Sequence, residues 1–112
     1  MSNVIALKLE GIESRADING REIAQLLGTT AETISRWRGG KTEPQPRLRD
    51  SLLQLDWLVA ELSELYPPKE AHLWLYSLHK QLGGQRPVDL IGRGETEKVL
   101  AIISQLKDGA YP

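Results

Sequence analysis

Along these 112 residues apolar positions recur at intervals of three and four and nowhere alternate for long, so the chain is predicted to be all-α. Ile5, Leu9 and Ile12 share one helical face and predict a short first helix, broken by "ADING". Asn19 stands at an N-cap position with Glu22 three residues on, the spacing of a capping box, and Ile23, Leu26 and Leu27 supply the apolar face behind it. Gly28 ends that helix by allowing positive φ. A third helix is predicted at once, with Thr29 as N-cap, Glu32 as its capping-box partner, Ile34 and Trp37 inward and Gly39-Gly40 as the stop. Two short helices joined by a tight glycine turn form a helix-turn-helix arrangement.

After the connector "KTEPQP", Leu48, Leu52, Leu55, Val59, Leu62 and Tyr66 alternate spacings of four and three and predict a long helix over 47–66. Leu53, Leu58 and Leu65 widen its apolar surface beyond one stripe, which suits a core face plus a second contact such as a dimer partner. Pro67-Pro68 terminate it. Beyond lie a predicted helix through Leu82, a Gly83-Gly84 turn, a helical step over 87–91 opened by Pro87, and a last helix over 95–106, after which Gly109 releases the tail "AYP". Residues 1–66 thus read as a helix-turn-helix region with its connecting helix, and 67–112 as a small helical domain with a tail.

Composition narrows the function classes. A chain of this length with 40% hydrophobic residues buries one core. It has no cysteine, hence neither a disulfide framework nor a thiolate metal site, and a cytoplasmic setting is expected. No stretch approaches the roughly 18 apolar residues of a membrane span. The net charge of −1 does not mark an indiscriminate nucleic-acid binder. Its distribution says more: 21–49 holds Arg21, Arg36, Arg38, Lys41, Arg47 and Arg49 against Glu22, Glu32 and Glu43, whereas 50–66 holds Asp50, Asp56, Glu61 and Glu64 with no base. Any DNA contact is confined to one face.

If the helix pair binds DNA, its second helix enters the major groove. Thr30, Ala31, Thr33, Ser35 and Arg36 then reach base edges or adjacent phosphates, with Arg36 suited to a bidentate guanine contact. Arg38, Lys41 and Arg47 lie after that helix and suit phosphate. An αα-corner with solvated charges and no DNA role stays open as the plain alternative. One such unit makes few base contacts, so a homodimer on two half-sites is expected.

Catalysis finds little support. His72 and His79 are seven residues apart, too far for the i, i+4 metal pair of helical zinc sites, and read as surface or interface residues. Glu95 and Glu97 complement a helix dipole. "GGQRP" and "GRGE" lack a phosphate-loop or dinucleotide fingerprint and read as turns. No metal, cofactor or enzymatic activity is expected. Core packing is the plain expectation for the tryptophans, Trp57 and Trp74 included, while Tyr111 in the tail suits an interface anchor.

These residues resemble the small antitoxins of the Xre/MbcA/ParS type, which join an Xre-like helix-turn-helix to a toxin-binding domain. The first half carries the resemblance in "REIAQLLGTTAETISRWRGGKTEPQ", and the second in "LGGQRPVDLI", Gly94 and "KVLAIISQLKDGAY". The resemblance implies an antitoxin that blocks a cognate toxin, a RES-domain enzyme that degrades NAD, and that represses its own operon by binding operator DNA, as a homodimer within a larger complex. It implies a toxin-binding set of Trp74, Asp89, Arg93, Gly109, Ala110, Tyr111 and Pro112, the tail excluding substrate. Many members carry an Asn-Pro or Pro-Asn pair after the tryptophan segment, where this chain reads Ser77-Leu78-His79. A stand-alone regulator whose second half only dimerises stays open as the alternative.

Overall fold

A computed structural model describes residues 3–109. Seven α-helices and one 3-10 turn make up the described chain, and the only β pairing among these residues is an isolated bridge between His79 and Gln85. The helices are α1 (Val4–Ala16), α2 (Gly20–Leu27), α3 (Ala31–Arg38), α4 (Pro46–Ser63), α5 (Pro68–Tyr76), α6 (Pro87–Gly92) and α7 (Thr96–Lys107), with the 3-10 turn at Lys80–Leu82. The all-helical prediction holds.

Each helix begins for a local reason. The Asn3 side chain accepts from the Ala6 amide at 3.0 Å and caps α1. At α2 the capping box is present in both directions: Asn19 Oδ1 accepts from the Glu22 amide at 2.9 Å, and Glu22 Oε1 accepts from the Asn19 amide at 3.0 Å. Proline occupies the first turn of α4, α5 and α6, where its missing N–H costs no helical hydrogen bond.

One hydrophobic cluster runs through the whole described chain. Leu9 and Ile12 of α1, Ile23 of α2, Ile34 and Trp37 of α3, Leu52, Leu55, Leu58 and Leu62 of α4, Leu75 of α5, Leu90 of α6 and Val99 and Ile103 of α7 are all buried in it. Helix α1 packs on both α4 and α5, α4 also meets α7, and α2 meets α6. Residues on either side of 66 therefore share a core.

Four details depart from the sequence reading. Thr30, not Thr29, caps α3, its hydroxyl accepting from the Thr33 amide at 3.1 Å. Thr29 is taken by the end of α2, where its amide donates to the Ala24 carbonyl at 2.9 Å beyond the left-handed Gly28. Helix α4 stops at Ser63, short of Tyr66, because the Leu65 amide tightens onto the Leu62 carbonyl at 3.0 Å and the residue before Pro67 disfavours helix. Helix α5 stops at Tyr76 instead of running to Leu82: Ser77 is extended, and His79 and Gln85 pair across a turn made by Gly83 and Gly84 at φ +68° and +78°. Trp57 is not in the core but 60% exposed, whereas Trp74 is buried as expected.

Candidate nucleic-acid and partner interfaces

The first candidate surface is the outer face of α3. Burying Ile34 and Trp37 three residues apart turns Thr30, Ala31, Ser35 and Arg36 outward, and all four are exposed, while Thr33 is half-buried. Thr30 and Thr33 hydroxyls lie 2.9 Å apart, so the cap also orders the leading edge of this face. Arg36 donates to Glu32 Oε1 at 2.6 Å across one helical turn, with both side chains open to solvent. Such an exposed pair is weak and screened, so it leaves Arg36 available to a stronger anion.

Arg38 is the last residue of α3, not a residue beyond it. Its two terminal nitrogens donate to both carboxylate oxygens of Glu13 on α1, at 2.7 and 2.6 Å. The hydrogen bond to Glu13 holds the Arg38 guanidinium above its ordinary range against partial burial. The contact clamps α3 to α1, which gives Arg38 a positioning role within the fold. Lys41 and Arg47 are exposed and join no ion pair among the described residues. Arg21 and Arg49 share that status, although charge spacing alone did not single them out as site residues; the surplus of base over acid in 21–49 was the signal that included them.

The second candidate surface lies on the second half. Trp74 is a core residue; its ring meets the His79 imidazole at 4.7 Å between centroids, and His79 Nε2 donates to the Trp74 carbonyl at 2.8 Å. The Ser77-Leu78-His79 segment thus closes the end of α5 by a side-chain bond. Asp89 accepts two bonds from Arg86, at 2.9 and 2.8 Å, and these hold its carboxyl below the usual range. Arg93 bonds Glu95 at 2.9 Å and Gln85 at 2.6 Å. Asp89 and Arg93 line one shallow cleft of about 390 Å³ with Glu22, Gln25 and Tyr76. Gly109 follows α7 in a left-handed conformation, exposed, at φ +70°. Ala110, Tyr111 and Pro112 lie outside the described residues.

The halves are bonded across this cleft. The Tyr76 hydroxyl donates to Glu22 Oε2 at 2.7 Å, and His72 Nδ1 donates to the Asp17 carbonyl at 3.0 Å while its ring stacks on Tyr76. Burial first, then the bond to Glu22, raises the Tyr76 phenol above its ordinary range. Among the described residues no group of three His, Cys, Asp or Glu side chains comes together as a metal site. No described helix is long and apolar enough to cross a membrane.

The chain matches no family model. It is 28% identical over 109 residues to the mycobacterial cidal antitoxin MbcA of Mycobacterium tuberculosis, spanning 97% of this chain and 96% of that protein. It is 33% identical over 90 residues to a probable mycobacterial cidal antitoxin of the same organism, spanning 80% of this chain and 76% of the relative. A chain in the crystal structure of the M. tuberculosis MbcT-MbcA toxin-antitoxin complex superposes with a TM-score of 0.86 at 27% identity, over 99% of this chain and 100% of that one. A helical chain alike in sequence and shape to these proteins over nearly its full length is an antitoxin and not an enzyme. Within that class, it belongs to the family of MbcA-type mycobacterial cidal antitoxins.

Proposed function

We propose that this antitoxin neutralises a cognate toxin by direct binding through residues 67–112, and represses its own operon through the α2–α3 pair acting as a helix-turn-helix. The full-length likeness to a chain solved in a toxin-antitoxin complex carries the first part. The toxin is of the RES type and consumes NAD, as the resemblance of the second half implies. Asp89, Arg93 and the exposed end of α7 at Gly109 offer polar contacts, Trp74 holds the scaffold beneath them, and Ala110, Tyr111 and Pro112 exclude substrate. For DNA, the support is the outward set Thr30, Ala31, Ser35 and Arg36 together with the exposed Lys41 and Arg47, which join no ion pair among the described residues. The repressor is a homodimer, because two half-sites supply the contacts one short helix lacks.

Copurification of the tagged chain from its native locus, with mass determination of the intact complex, tests the reading. A stoichiometric small enzyme, inhibited in an NAD-consumption assay, is the expected result. Deleting 108–112 weakens that inhibition and leaves the operator mobility shift in place. Recovery of the chain alone, as a dimer that shifts its promoter, overturns the antitoxin mechanism in favour of a plain regulator.

A further inference from the structure

Four of the six large hydrophobic side chains exposed on the described chain lie on two neighbouring helices: Val4 and Leu7 on α1, Leu53 and Trp57 on α4. Val4 and Leu53 line one groove, and Lys8 Nζ donates to Asp56 Oδ2 at 3.1 Å across the α1/α4 seam beside them. Arg15 also reaches Asp56, at 4.0 Å, so the Asp56 carboxylate is neutralised within the chain. Scattered exposed apolar residues need no explanation, but a contiguous set rimmed by charge marks an interaction surface.

The outward stripe of α4 also says what covers it. Arg49, Leu53 and Trp57, exposed on α4, the half-buried Ala60 and the exposed Glu64 one residue past the helix follow one another at helical spacing, with base at one end, acid at the other and the tryptophan between. Arg49 lies eight residues before Trp57 and Glu64 seven after, about 12 and 10 Å along the helix. Reversed on itself about Trp57, this stripe sets Arg49 against Glu64, Leu53 against Ala60 and Trp57 against its own copy. Arg49 joins no ion pair among the described residues, and Glu64, exposed, shares Lys107 with Glu61. A surface complementary to itself under a two-fold rotation suits a second copy of the same chain.

We propose that α4 packs antiparallel on α4 of a second copy, with Trp57 near the two-fold axis, Val4 and Leu7 at its flank, and reciprocal Arg49–Glu64 pairs at its ends. The proposal deepens the homodimer of the function proposed above and rests on it. The test is the sedimentation equilibrium of the full chain. Wild type is expected to be dimeric at micromolar concentration, and Trp57→Glu to weaken association by about 30-fold or more, as loss of a central aromatic anchor does. Arg49→Glu and Glu64→Arg are each expected to weaken it, and their combination to restore it, with unchanged helical circular dichroism throughout. A dimer that persists in Trp57→Glu, or no rescue in the double variant, overturns this face while leaving the dimer intact. A monomeric wild type overturns the dimer itself. A monomer whose binding to the copurified toxin is lost in Trp57→Glu assigns the face to the toxin instead and also refutes the proposal.

Discussion

Replacing Tyr76 by Phe removes one oxygen and leaves the ring stacked on His72, so it isolates the bond that ties α5 to α2. A hydrogen bond to a charged carboxylate contributes about 1.5–3 kcal/mol when buried; this one is only half-buried, so about 1 kcal/mol is expected. For a chain of this size that lowers the melting temperature by about 4 °C. The pH dependence supplies a second reading. The folded phenol lies above its ordinary value of about 10, so the fold holds that proton more tightly than the unfolded chain does. The resulting stability is fully present below about pH 10 and is lost as pH rises toward the raised folded value. Urea unfolding of wild type and Tyr76→Phe at pH 7 and pH 10.5, followed by circular dichroism, separates this from lysine titration, which both proteins share. The difference between them should be about 1 kcal/mol at pH 7 and smaller at pH 10.5. Equal stability at pH 7, or a gap that widens with pH, refutes the reasoning.

At Gly28, φ is +73° and an added Cβ meets nothing within 4 Å, so Gly28→Ala should cost only the left-handed backbone, about 1 kcal/mol by chemical denaturation. A loss above about 3 kcal/mol would reveal a packing role instead. If Lys41 and Arg47 rest on phosphate, alanine at either lowers the slope of log affinity against log salt by about 1 in operator titrations, without changing sequence preference, whereas Arg36→Ala relaxes preference at one base. A fragment of residues 1–66 loses α5, α6 and α7 from the shared core and should show no cooperative thermal transition by circular dichroism; a sharp transition would establish an independent unit ending near 66.

What the sequence revealed follows the range of the interactions involved. The Asn19–Glu22 box spans three residues and was legible in full. So was the outward set on α3, since burying Ile34 and Trp37 fixes which residues face away. The shift of the α3 cap from Thr29 to Thr30 escaped because two threonines offer the same chemistry, and the choice is made by the Thr29 amide closing α2. The early end of α5 escaped because it depends on His79 meeting Gln85, which apolar spacing does not record. The bond from Arg38 to Glu13 escaped because Glu13, 25 residues away, is invisible to a local window. Trp57 could have been placed: it falls off the stripe of Leu52, Leu55, Val59 and Leu62 that α4 buries, and only its residue type argued for the core.

Glu22 shows how a local signal conceals a distant one. Its Oε1 starts α2 by accepting from the Asn19 amide, and its Oε2 accepts from Tyr76 on α5. The first bond alone explains why the residue is acidic, so nothing in the sequence calls for the second. Yet the second places the start of α2 in direct contact with the half of the chain proposed to meet the toxin, on the rim of the cleft that Asp89 and Arg93 line. A partner that occupies the cleft must either accommodate the Tyr76–Glu22 bond or displace it. Displacement would leave the Asn19 cap in place and remove only the link between halves, so any effect of toxin on operator affinity that travels by this contact should vanish in Tyr76→Phe while both separate affinities persist.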